Sequence, residues 1–72
     1  MRYKLFKESS RENNIRDLQS TITPTMMVSD TFEIDDNETN IVLSDDKKEN
    51  VIFLREISGL IVSYSWFRKE SN

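Results

Sequence analysis

The chain has no cysteine, no histidine and no alanine, and only one glycine and one proline among its 72 residues. Without cysteine there is no disulfide framework, and without cysteine or histidine there is no zinc site of the finger type, which needs thiolates or imidazoles. The common nucleophile–base pairs are lost with the same two residue types. Carboxylates remain, but acid–base work by two carboxyl groups requires a cleft that drives their pKa values apart. A chain this short has little volume for one. The sequence therefore predicts no enzyme activity, no cofactor, no metal site and no small-molecule substrate.

Long apolar runs are missing too. No stretch approaches the ~18 apolar residues of a membrane span, and Met1–Lys7 lacks the apolar core of a signal segment. Small secreted domains usually carry disulfides. The expectation is an unprocessed cytoplasmic protein with no membrane partner. Frequent Asn, Ile, Lys, Asp and Glu, with Ala absent, fit an AT-rich coding sequence such as that of a low-GC bacterium or phage.

Length bounds the architecture to one domain, residues 1–72. A domain of this size buries only about 60% of the surface its unfolded chain exposes. Its core supplies at most roughly 3–5 kcal/mol, so small natural domains add disulfides, a metal or a second subunit. With the first two excluded, a homodimer is expected.

What the chain does have is charge of both signs, unevenly placed. Net charge is −3. Arg2, Lys4, Lys7, Arg11 and Arg16 outweigh Glu8 and Glu12 at the start of the chain. The middle carries Asp17, Asp30, Glu33, Asp35, Asp36, Glu38, Asp45, Asp46 and Glu49 against only Lys47 and Lys48. Such asymmetry steers partners of complementary charge.

Residues 2–7 read as a first strand, with Tyr3 and Leu5 on one face and Lys4 and Phe6 on the other. Ser9 and Glu12 have the spacing of a capping box, and Ile15, Leu18 and Ile22 recur at helical spacing, which predicts a helix over 10–20. Thr23-Pro24 stops it. From Thr25 the period becomes two. Strands are expected over Met26–Ile34, Ile41–Ser44, Val51–Glu56 and Leu60–Phe67, separated by the polar turn 35–40, the turn 45–50 and the two-residue loop Ser58-Gly59. Asp30 interrupts the apolar face of its strand, which predicts a bulge near Ser29-Asp30 or a rim position. The fold class is α+β, mainly β: a small antiparallel β-meander of about five strands, counting the N-terminal one, with one short helix, as an open sheet or a small barrel.

Several strands carry apolar residues on both faces, and one helix covers one face. Val42, Ile52, Leu54, Ile61 and Phe67 form the expected second set, and with Trp66 they are the candidate partner interface. Asp30, Glu33, Asp35, Asp36, Glu38, Asp45 and Asp46 are a candidate acidic surface, suited to fast association with a basic, nucleic-acid-handling protein that the chain regulates or inhibits. The alternative is single-stranded nucleic-acid binding by Lys4, Phe6, Phe67, Arg68 and Lys69, since aromatics on a sheet beside cations stack and track single strands. Overall acidity weighs against it. Asp35, Asn37, Thr39 and Asp46 share part of the spacing of a calcium loop, but its sixth position is Asn40 and not Gly, and its twelfth is not Glu, so a plain turn is expected. The function these features predict is non-enzymatic protein–protein interaction with self-association.

Overall fold

A computed structural model describes residues 2–10 and 14–70. Its elements are β1 (Tyr3–Ser9), α1 (Asn14–Thr21), β2 (Met27–Asp35), β3 (Glu38–Ser44), β4 (Asn50–Ile57) and β5 (Leu60–Lys69). All five strands join one open antiparallel sheet in the order β1-β5-β4-β3-β2. Four consecutive strands thus form the expected meander. β1 crosses back over the sheet to pair with β5, so the two edges are β1 and β2.

Each turn has a local cause. Ser58 and Gly59 both adopt positive φ, +50° and +84°, the primed geometry whose twist matches a two-residue hairpin. Asp35 Oδ1 accepts from the backbone N–H groups of Asn37 and Glu38 at 2.9 and 3.0 Å, an Asx turn that reverses the chain between β2 and β3. This lets β3 begin at Glu38, three residues earlier than the polar composition of 35–40 predicts. There it is paired on both sides, Thr39 lying opposite Glu33 and Glu56.

Residues directly opposite on neighbouring strands share a face, so the register fixes which side chains lie together. Leu43 faces Ile52 and Ile52 faces Trp66, while Ile41 faces Leu54 and Leu54 faces Tyr64. These rows form the core on one side of β3, β4 and β5. Ile52 and Tyr64 are fully enclosed, and Leu43 and Leu54 are buried beside them. Leu18, Met26, Ile41, Ile61 and Trp66 pack against this cluster, which makes it the face that α1 covers.

Helix α1 spans Asn14–Thr21, one residue past the expected end, and the expected turn over 11–13 lies outside the described residues. Of the three apolar residues at helical spacing, only Leu18 packs on the core, while Ile15 is 64% exposed. Thr21 is buried and donates its hydroxyl to the Asp17 carbonyl at 2.7 Å. Ser9 belongs to β1 and is not a helix cap, and Glu12 lies outside the described residues.

Bulges break the strict alternation in three strands. Register shifts leave Phe6 as an extra residue in β1 and Ser29 and Ile34 as extras in β2. In β5 the pairs Arg55↔Ser63 and Glu56↔Ile61 leave Val62 as the extra residue. Each shift moves the following side chains to the other face. Ile61 therefore joins the core and not the second apolar set. Along β2 the bulge at Ser29 puts Val28 opposite Leu43, on the covered face, and Phe32 opposite Asn40, on the other. The single apolar face expected for this strand does not exist, and all of β2 is exposed.

The Tyr64 hydroxyl and the Trp66 Nε1 are buried with no hydrogen-bond partner among the described residues. A buried polar group left unpaired costs about 1–3 kcal/mol. Tyr64→Phe is therefore expected to leave stability unchanged or raise it in urea denaturation. Ile52→Ala, at a fully enclosed position, is expected to cost about 2–5 kcal/mol and to unfold much of the population.

Candidate functional site

The face opposite α1 has no covering element among the described residues. Its rows follow from the register: Val42 lies opposite Phe53, Val51 opposite Phe67, and Phe67 opposite Leu5. Phe53 and Phe67 meet edge to face with ring centroids 5.6 Å apart. Tyr3, Val51, Phe53 and Phe67 line an almost wholly apolar depression of about 320 Å³. The Tyr3 hydroxyl donates to the Lys48 carbonyl, which ties β1 to the β3–β4 turn beneath it. Phe53 and Leu5 remain 43% and 47% exposed.

This open face corrects the second apolar set read from the sequence. Val42 and Phe67 are on it. Ile52 and Leu54 point the other way into the core, at 0% and 5% exposure, where a partner cannot reach them. Ile61 and Trp66 pack against that same core. Val51 and Phe53 take the places assigned to Ile52 and Leu54. Strand alternation separates the pairs correctly, but only cross-strand register tells which pair shares a side with Val42.

A second cluster forms at the β1 edge, on the covered face. Bulging at Leu5/Lys7 brings Phe6 against Trp66, with ring centroids 4.6 Å apart at 66°. The Arg68 guanidinium carbon lies 4.1 Å from the Phe6 centroid and 5.4 Å from that of Trp66, a cation–π stack. Lys4, opposite Arg68 in the register, lines a shallow open pocket of about 680 Å³ with Leu5, Phe6, Arg68, Lys69 and Glu70. Four of the five residues considered for nucleic-acid binding thus converge, although they come from opposite ends of the chain. The fifth, Phe67, lies on the open face.

The acidic residues do not form one surface. Asp35, Asp36 and Glu38 lie at the β2–β3 turn, while Asp45 and Asp46 lie at the opposite end of β3. Asp30 pairs with Val42 on the open face, and Glu33 pairs with Thr39 on the other. Three of the seven are used locally. Asp35 closes its turn, and Glu38 Oε1 accepts from Arg55 Nη2 at 2.6 Å. Asp45 accepts from the Glu49 N–H at 2.8 Å and from Asn50 Nδ2 at 2.9 Å. Of the residues with part of a calcium loop's spacing, Asp35 and Asn37 meet in the β2–β3 turn, where the Asn37 N–H donates to Asp35 Oδ1.

Among the described residues no helix is long and apolar enough to cross a membrane. The chain matches no protein-family model, and no curated protein or solved structure is similar to it at a significant level. The functional reading therefore rests on the surfaces themselves.

Burial acts to raise the Asp45 pKa, but hydrogen bonds from Asn50, Glu49 and Lys48 outweigh it and hold the carboxyl below its ordinary value of 3.8. A pKa lower in the folded state contributes stability that is full above the unfolded value and lost as pH falls through the folded one. Asp45→Asn is expected to flatten the acid limb of a melting-temperature-against-pH profile below 3.8, with little change in its shape near neutrality.

Proposed function

We propose that this protein is a non-enzymatic protein-interaction module that self-associates through the open face of its sheet. The observation that carries this reading is an apolar face centred on Val42, Val51, Phe53 and Phe67, on which no other element packs among the described residues. Among the described residues ten large apolar side chains are exposed, Phe53 among them, against four buried hydrophobic ones. So small a core stabilises a fold weakly, and a second copy of the same face supplies the missing burial. Its occupant is taken to be that second copy, since an isologous contact matches Phe53 and Phe67 with themselves across a two-fold axis.

A second reading keeps one specific observation in its favour. Lys4, Arg68 and Lys69 beside the Phe6–Trp66 pair are the components of a single-strand nucleic-acid groove. The two readings separate by salt, because binding to phosphates weakens steeply as salt rises whereas an apolar contact does not.

Light scattering over a dilution series tests the first reading. A dimer that survives high salt and becomes a folded monomer with Phe53→Asp is the expected result. A wild-type monomer at every concentration overturns it. For the second reading, oligonucleotide binding that disappears in high salt and with Arg68→Glu is the expected signature.

A further inference from the structure

The bulge in β1 sorts charge between the two faces of the sheet. Strict alternation would set Lys7 with Tyr3 and Leu5 on the open face and leave Glu8 beside Lys4 on the covered one. The register shift after Leu5 reverses both. Lys7 comes opposite Trp66, on the side of Lys4, and Glu8 comes opposite Ser65, on the side of Leu5. One inserted residue thus brings a cation onto the covered face and removes a carboxylate from it. The insertion itself is Phe6, an aromatic ring between the two lysines.

The cations gathered there are not neutralised. Lys4 stands directly opposite Arg68, an arrangement of like charges that weakens a strand pair. Among the described residues no carboxylate lies within ion-pair distance of Lys4, Lys7 or Arg68, and the one salt bridge joins Arg55 to Glu38. Glu70 lines the same shallow pocket as Lys4 and Arg68 but pairs with neither. Arg68 lies instead over the Phe6 ring and Trp66 meets that ring at an edge, so the aromatic is held in place while 53% of Phe6 stays exposed. Lys4 and Lys7 face β5 residues two apart in sequence, which sets them about 6.8 Å apart along the strand. That is close to the interval between successive phosphates of an extended single strand.

We propose that a single strand of nucleic acid lies along the covered side of β1, with successive phosphates on Lys4 and Lys7 and the base between them stacked on Phe6. Arg68 braces the stacking ring and adds its charge beside Lys4. A row of cations alone serves any polyanion. The exposed ring between them selects a ligand that alternates anion and flat ring, and a duplex, whose bases are already paired and stacked, cannot offer one. The proposal rests on the nucleic-acid reading above and deepens it in two respects: Lys7 enters the site, and Lys69, opposite Tyr3 on the open face, holds no phosphate.

Trp66, the only tryptophan of the chain, touches Phe6 and reports on the site by its fluorescence. The full chain is titrated with a short oligothymidylate over a salt series, for wild type and for variants that keep the wild-type circular dichroism spectrum. Quenching in low salt is expected for wild type. Lys4→Gln and Lys7→Gln are each expected to weaken binding and to flatten the slope of log affinity against log salt by about 0.7, the share of one single-strand phosphate. Lys69→Gln is expected to leave that slope alone. Phe6→Ala is expected to weaken binding by about tenfold with the slope unchanged, because stacking carries no counterion release. A Lys69→Gln slope as flat as that of Lys7→Gln, or a Phe6→Ala that binds like wild type, overturns the placement and leaves the nucleic-acid reading standing. A wild type that binds no oligonucleotide in low salt overturns both. Displacement of the oligonucleotide by poly-glutamate at equal charge overturns the proposal in favour of an acidic protein segment. The wild-type slope needs no variant to fold: a value shallower than about 1.4, the share of two phosphates, overturns the proposal as well.

Discussion

One short helix must serve a sheet five strands wide, and the other features of the molecule follow from that shortage. An eight-residue helix is about 12 Å long and about 10 Å across, while strands lie about 4.8 Å apart. It therefore shields about two strands over part of their length. The core gathers where it reaches, around Ile52, Leu54 and Tyr64. Farther out, β2 is exposed along its whole length, and no element covers the opposite face among the described residues. Apolar residues in those places are not surplus from an imperfect core. They lie where none of the described elements shields them.

Bulges redistribute what coverage there is. The extra residue at Val62 turns Ile61 inward to the cluster under the helix, and the one at Phe6 turns an aromatic ring onto Trp66. Both shifts favour the helix side. In β2 the bulges work differently, dividing Val28 from Phe32 between the two faces. No continuous apolar stripe then runs along that edge, and the carboxylates between the apolar residues stay in solvent.

The period-two pattern from Met26 onward made the meander legible, and the sole glycine marked the tightest hairpin, because both signals are local. Non-local facts were not legible. Nothing near Tyr3 states that its strand lies beside β5, which depends on a pairing across almost the full chain. Alternation also separates Val51 and Phe53 from Ile52 and Leu54 without saying which pair is inside, and the inside pair is fixed only by the cross-strand register. Bulges add a parity change that composition does not announce, as at Ile61. For the cationic cluster, Lys4, Phe6, Arg68 and Lys69 are recognisable as residue types, whereas the contact of Trp66 with Phe6 exists only once β1 is bulged and paired.

The crossing of β1 to β5 has a kinetic side. Tyr3 sits opposite Lys69, whereas every other strand pair joins neighbours in sequence. Closing the longest loop in the chain costs entropy before its contacts repay it, so the expected order of folding has the hairpins of the meander ahead of this pairing. A strand that arrives last, at an edge, is also among the first to leave in local opening. The Phe6–Trp66–Arg68 stack is assembled only while β1 is docked. A ligand held there would draw on the same equilibrium that fastens the strand, and its occupancy would slow the strand's release.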